Sequence, residues 1–346
     1  MKALVTDTHG FDRDALTAAN AGRHALTFAA PRLDAATAVL ARGYDAVIPF
    51  VNDALDAGVL AVLAAGGTRL LALRCAGHNN LDLAAATRLG LRAVNVPFYT
   101  PDAVAEHVFA LLLSMVRHIP RASARVRDGN FSVDGLVGFG LHGRCFGIVG
   151  LGRIGRAVAV IAQGFGCRVL AFDPLAFDSP ACTSPAFTSP ACTSLAEAVP
   201  GIEAVSLEAL LARCDVVSLH APLTPATRHM IDAAALARLR PGAILVNTSR
   251  GALVDTAALI DSLRDGRIGG VCLDVYEEEA GVFYRDLSNE ILADDVLARL
   301  LTFPNVLITS HMGFLTREAL REIAATTIAS LTAFETGQPL VHALGA

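Results

Sequence analysis

The chain is poor in positive charge, and almost none of that charge is lysine: Lys2 is the only lysine among 346 residues. The formal net charge is -5 and no basic run interrupts the sequence, so it offers no electrostatic footprint for nucleic acid or an anionic membrane surface. Long apolar runs are missing too. Mean hydropathy reaches +0.49, yet stretches such as 57–68 and 108–116 fall well short of the ~20 residues that span a bilayer. Asp7 and Asp12 follow closely on a short apolar start, so no signal peptide is expected. The seven cysteines are scattered, odd in number and without metal-ligand spacing, so neither a disulfide framework nor a metal site is expected. Cys75, Cys145, Cys167, Cys214 and Cys272 lie in or beside apolar strand-like runs, as reduced core thiols do, and a cytoplasmic location follows.

What is present is a chain 53% hydrophobic and 18% charged, long enough for two domains with sizeable cores. Short β-rich runs alternate with amphipathic helical stretches throughout, the pattern of parallel α/β architecture. Strands are predicted at 2–7, 25–29, 46–51, 70–75 and 93–96, with helices between them, giving a small flavodoxin-like domain. A long helix is predicted from Pro101, capped by Thr100 and kinked or ended at Pro120. A second series of strands at 145–149, 168–172, 215–219, 243–247, 270–273 and 306–309 makes a six-stranded, doubly wound parallel sheet. The apolar-periodic stretch 317–335 reads as a helix returning to the first domain. The expected domains are therefore 1–100 plus 312–346, with 101–311 inserted between. Residues 179–193 read SPACT, SPAFT, SPACT, and prolines at that spacing predict an extended, mobile surface loop. Replication slippage accounts for Cys182 and Cys192 there better than metal binding or pairing does.

The segment CFGIVGLGRIG places Gly150, Gly152 and Gly155 in GxGxxG spacing between an apolar strand and a helix. The first glycine permits a tight turn, the second lets the backbone approach a pyrophosphate, and the third lets helix pack on strand. Asp173 ends the next strand, where a carboxylate accepts from adenosine ribose hydroxyls and repels a 2′-phosphate. NAD is therefore expected over NADP, on a Rossmann-type domain. Polar punctuation gathers at the carboxyl ends of the strands: Gly150, Asp173, His220-Ala221-Pro222, Thr248-Ser249-Arg250, Asp274 with Glu279 beyond, and His311. One-sided clustering of this kind points to a single cleft. Three of these groups make a chemical set. Reduction of a 2-keto acid needs a fixed cation for the carboxylate, a proton donor for the carbonyl oxygen and a hydride source. Arg250 offers a planar, permanently charged fork. His311 can exchange a proton near neutral pH, and a carboxylate on its other ring nitrogen would orient it. The run Glu277-Glu278-Glu279 can supply that carboxylate, and spacing alone does not choose among the three. His9, His24, His118, His142 and His342 read as surface or core residues.

At these residues the chain resembles the D-isomer-specific 2-hydroxyacid dehydrogenase family, and within it the D-lactate dehydrogenase branch. The resemblance runs nearly end to end through LLALRCAGHNNLDL, VPFYTPDAVAEH, GIVGLGRIG, LHAPLTPATRHMI, VNTSRGALVD, LDVYEEE and SHMGFLT. It implies an NAD-dependent enzyme interconverting pyruvate and D-lactate. It makes Arg250 the substrate-binding arginine, Glu279 the partner carboxylate and His311 the acid/base. Cofactor contacts are implied at Arg153 and Ile154 over the pyrophosphate and Asp173 on the ribose. Ala221, Pro222, Thr227, Thr248 and Ser249 would flank the adenosine and ribose, with Asp274 near the nicotinamide amide. Ala76 and Gly77 would offer backbone N–H groups to the substrate carboxylate, with Arg74, Tyr99 and Phe314 close by. A homodimer or homotetramer is implied as well. The chain departs from the family at Gly313, where alanine is usual, and at His78, where the D-lactate branch often carries an aromatic residue. Two alternatives stay open: a reductase of glyoxylate, hydroxypyruvate or a larger 2-keto acid, and a non-catalytic NAD-sensing interaction protein.

Overall fold

Runs such as Val216–Leu219 and Gly270–Leu273 are buried along their whole length, as parallel strands covered by helices on both faces must be. A computed structural model describes residues 1–174 and 199–345; the SPACT repeat, with Cys182 and Cys192, lies outside them. The chain divides into two units, Met1–Thr100 with Phe314–Ala346, and Pro101–Gly313. The second junction falls two residues beyond the expected one, because the N–H groups of Met312 and Gly313 are tied to Asp274 of the second unit.

The first unit holds a five-stranded parallel sheet of order β2-β1-β3-β4-β5, formed by Lys2–Val5, Ala25–Phe28, Ala46–Ile48, Leu70–Ala72 and Arg92–Val94. That order is the flavodoxin-like one. The 19-residue helix Arg317–Glu335 returns to this unit, burying Ala324, Ile328 and Leu331 with Ala3, Val5 and Ile48.

The second unit holds a seven-stranded parallel sheet, one strand more than expected. Its strands are β6 (Cys145–Val149), β7 (Arg168–Phe172), β8 (Glu203–Ala204), β9 (Val216–Leu219), β10 (Ile244–Asn247), β11 (Gly270–Leu273) and β12 (Val306–Ile308). The addition, β8, is two exposed residues on the sheet edge, too short to leave an alternating pattern. The order β12-β11-β10-β9-β6-β7-β8 reverses direction at β6, the switch point where doubly wound sheets take their ligands.

Asp56, Asp82, Ser206, Asp232, Asp255, Asp294 and Thr316 each cap a helix, their side chains accepting from first-turn N–H groups. The helix Pro101–Val116 is buried nearly all round. Thr100, its expected cap, instead directs its hydroxyl and N–H to Glu322. Pro120 stands in the first turn of a second helix, Ile119–Arg127, bent 60° from the first. The break is made by His118 at φ 51°, and proline serves as a starter there because its missing N–H needs no partner in a first turn. Among the described residues no single helix is long and apolar enough to cross a membrane.

Candidate active site

Because every strand pair of the second sheet is parallel, the carboxyl ends of β6, β7, β9, β10, β11 and β12 share one edge. The residues that follow them are Gly150, Asp173, His220, Thr248, Asp274 and Thr309, with His311 just beyond.

The GxGxxG turn carries the geometry a pyrophosphate needs. Gly150 sits at φ +96°, and a Cβ on it would lie 2.7 Å from the His220 carbonyl oxygen. A Cβ on Gly155 would lie 2.0 Å from the Gly150 carbonyl, so only glycine lets the helix Arg153–Gly164 approach the turn this closely. Gly152, by contrast, faces open space. It caps that helix without a side-chain acceptor, which leaves the first-turn N–H groups, with Arg153 and Ile154, at a positive helix end. Asp173 accepts from Leu151 N at 2.8 Å. Thr248 is buried with its hydroxyl unpaired among the described residues, a polar atom on this edge that a ligand would satisfy. These features fit a dinucleotide.

Other expected cofactor residues are used by the protein itself. The Thr227 hydroxyl donates to Pro222 O at 2.6 Å and closes the 222–227 turn. The Ser249 hydroxyl donates to Ala221 O at 2.7 Å and ties two loops together. Asp274, expected beside the nicotinamide amide, spends its carboxylate within the protein. Its Oδ1 accepts from Thr309 Oγ1 (2.6 Å), Met312 N (2.8 Å) and His107 Nε2 (3.2 Å), and its Oδ2 from Gly313 N (2.8 Å). Burial pushes its pKa up, but the hydrogen bonds from His107 and Thr309 outweigh this and hold it below the ordinary carboxylate value.

That carboxylate braces the turn carrying His311. The His311 N–H donates to Asp274 O at 2.7 Å, and the Tyr284 hydroxyl donates to His311 O at 2.7 Å. Together they hold a non-glycine residue at φ 50°, a left-handed conformation that persists only where neighbours enforce it. The imidazole Nδ1 lies 3.0 Å from Glu279 Oε1, with both side chains mostly buried. A proton on Nδ1 donated to the carboxylate leaves Nε2 as the atom available for chemistry.

The acidic triplet is thereby resolved. Glu279 meets His311, Glu278 is exposed, and Glu277 turns toward Arg228 and His229. His220 is excluded as a proton donor, since desolvation pulls its pKa down to about 3 and its Nε2 pairs with Ser218 Oγ at 2.8 Å. Arg250 is half-buried; its Nη1 donates to Ser249 O at 2.7 Å, and among the described residues it has no carboxylate partner.

In the first unit Tyr99 and Phe314 come together, ring centroids 6.3 Å apart, with Phe11 and Phe50 also against Phe314. The carbonyls of Ala76 and Gly77 are taken by Asn95 and Cys75, while their N–H groups are unpaired among the described residues. Arg74 corrects an expectation. It is 2% exposed and donates to Asp12, Ile48 O, Thr6 O and Asp7 O, so it holds strand ends in register and offers nothing to a substrate. His78 is exposed on its turn. Gly313 is packed, not open: a Cβ there would lie 3.1 Å from Asp274 Oδ2 and 3.4 Å from His107.

The model of the D-isomer specific 2-hydroxyacid dehydrogenase NAD-binding domain matches residues 109–313. The chain belongs to that family. The D-lactate dehydrogenase of Escherichia coli K12 is 43% identical over 339 residues, 98% of each chain. The pyruvate reductase of Chlamydomonas reinhardtii superposes with a TM-score of 0.88 at 41% identity, covering 99% of this chain and 98% of that one. A D-lactate dehydrogenase from Lactobacillus jensenii, solved with NAD+, gives a TM-score of 0.78 at 28% identity with both chains covered in full. This protein is thus an NAD-dependent dehydrogenase of D-2-hydroxy acids.

Within this dehydrogenase, sequence reading missed His107, Thr309 and Tyr284, which hold the His311 turn, and Phe11 and Phe50 beside Phe314. His107 stands inside VPFYTPDAVAEH, a segment that carried the family resemblance, so a signal existed for that position.

Proposed function

We propose that the chain reduces pyruvate to D-lactate, with Arg250, Glu279 and His311 as the residues that carry the reaction. The Gly150–Gly155 turn, with Asp173 at the ribose, would hold NAD, which would supply or take the hydride. Arg250 binds the substrate carboxylate through its planar fork, which no carboxylate of the described chain neutralises. His311 carries a proton on Nε2 and passes it to the carbonyl oxygen as the carbonyl carbon is reduced, then recovers one from solvent. Glu279 holds Nδ1–H and stabilises the charged ring before transfer. The observation carrying this reading is the 3.0 Å contact between His311 Nδ1 and Glu279 Oε1, made across 32 residues of sequence.

The choice of pyruvate is supported by the relatives' activities, a D-lactate dehydrogenase and a pyruvate reductase. A cytoplasmic site of action, supported by five free cysteines among the described residues, and assembly into a dimer or tetramer belong to the same reading. The test is pyruvate-dependent loss of NADH absorbance, set against glyoxylate, hydroxypyruvate and a branched 2-keto acid. In single-turnover mixing His311→Gln should slow NADH oxidation at least about a hundredfold. A hydride step as fast as wild type in that variant removes His311 from its role, and a higher kcat/KM for another keto acid removes pyruvate.

A further inference from the structure

Glu277 stands two residues before Glu279, points elsewhere, and is the meeting point of three loops on the sheet edge. Its Oε1 accepts from Arg228 Nη2 at 2.8 Å and from His229 Nε2 at 2.7 Å, both in the loop after β9. Its Oε2 accepts from Thr256 Oγ1 at 3.4 Å, at the start of the helix that follows the Arg250 loop. Backbone contacts run in parallel. His229 N donates to Ala252 O at 2.8 Å and Ile231 N to Leu253 O at 3.0 Å, stitching the first loop to the second. Gly251, next to Arg250, lies flat on the 276–277 peptide: a Cβ would fall 2.0 Å from the Tyr276 carbonyl carbon and 2.4 Å from Glu277 N. The loops that present Arg250 and Glu279 are therefore packed backbone to backbone, with the Glu277 carboxylate as the charged clasp over the seam. His229 accepts a left-handed backbone, φ 51°, to reach it. The half-buried carboxylate, with a cation and an imidazole on one oxygen, is a costly arrangement to retain for an acidic surface residue.

We propose that Glu277, held by Arg228 and His229, is a positioning residue that sets the separation between Arg250 and the Glu279–His311 pair. It touches neither substrate nor cofactor. The inference rests on the roles proposed above for Arg250, Glu279 and His311. An isosteric Glu277→Gln side chain keeps the shape but loses the charge and turns an N–H group toward Arg228 or His229. The seam then relaxes, and a shift of ~1 Å between oriented groups costs up to about a hundredfold in rate.

The experiment measures kcat, KM and NADH affinity across pH for Glu277→Gln, with Arg228→Met as a milder variant whose exposed side chain can be lost without threatening the fold. Glu279→Gln is the reference. The groups facing His311 are the Glu279 carboxylate, the Tyr284 phenol and, through its backbone, Asp274. Weakening the Glu279 contact makes the charged ring easier to deprotonate, so the alkaline fall of the reductive rate moves to lower pH. Glu277→Gln should lower kcat about tenfold or more, leave NADH affinity unchanged and move that limb in the direction Glu279→Gln does, with Arg228→Met between them. A purely structural role would reduce the active fraction and leave the profile in place, and that result overturns the proposal, as does wild-type kcat. If Glu279→Gln itself leaves the profile unmoved, the assignment of the catalytic pair fails instead, and the two failures are told apart.

Discussion

Replacing Asp274 by asparagine tests the arrangement beneath His311 more directly than changing the histidine. The wild-type carboxylate is 1% exposed and accepts four hydrogen bonds, at 2.6 to 3.2 Å. An asparagine of the same shape must aim its NH2 at one of these donors. The cheaper rotamer puts it at the Oδ2 position, facing only Gly313 N. That leaves a buried N–H unpaired, at a cost of ~1–3 kcal/mol, and strips the charge from the three bonds at Oδ1, together worth a further ~2 kcal/mol. The expected loss is on the order of 3–5 kcal/mol, a large part of the ~5–15 kcal/mol that holds a typical domain folded. The pH dependence carries its own sign. The folded pKa of Asp274 lies below the unfolded one, so the unfolded state binds more protons in that interval. Its contribution is fully present above the unfolded value of ~3.9 and is lost as pH falls through the folded value. The gap between wild type and Asp274→Asn should thus be widest near neutral pH and close below about pH 4. The chain has no tryptophan, so far-ultraviolet circular dichroism in urea is the measurement, following the transition that NADH shifts. Equal midpoints at neutral pH, or a gap that persists undiminished in acid, would refute the reasoning.

Two further substitutions probe the ligand contacts. Arg250→Lys replaces a planar fork by a point charge and should lower kcat/KM for pyruvate about a hundredfold while NADH affinity holds; unchanged efficiency would remove Arg250 from carboxylate binding. Asp173→Ser keeps an acceptor for Leu151 N but removes the charge that repels a 2′-phosphate, so NADPH should become a usable cofactor and NADH affinity should fall by about tenfold. Unaltered discrimination between the two cofactors would place their selection elsewhere.

The sheets were legible because their signal is local. Each parallel strand buried on both faces is a short apolar run, and β6 to β12 were predicted to within a residue or two except for β8, whose two exposed residues carry no such signal. Gly150 and Gly155 were legible for a related reason: the tight turn and the close helix packing each forbid a Cβ, while Gly152 between them faces open space where a pyrophosphate can approach. Arg74 shows where the family pattern misleads. The resemblance put it beside the substrate, yet one guanidinium gathers Asp12, the Ile48 carbonyl and the consecutive carbonyls of Thr6 and Asp7, a role no spacing rule encodes.

What spacing alone does not encode, and only the family resemblance pointed to for Glu279, is the set of contacts that choose one member from several equal candidates. Three consecutive glutamates have the same intrinsic chemistry, and their separate fates are decided by where a turn after β11 points each side chain: Glu279 to an imidazole, Glu277 to a loop clasp, Glu278 to solvent. The facing turn, which carries His311, is braced by Asp274, whose donors come from positions 107, 309, 312 and 313. The left-handed backbone at His311 belongs to the same network, since histidine has no local reason to adopt it. Strain at His311 is therefore maintained by groups remote in sequence from it, Asp274 and Tyr284 among them. It follows that substitutions at His107 or Tyr284 act on the rate through the His311 backbone, without either side chain being asked to meet the substrate.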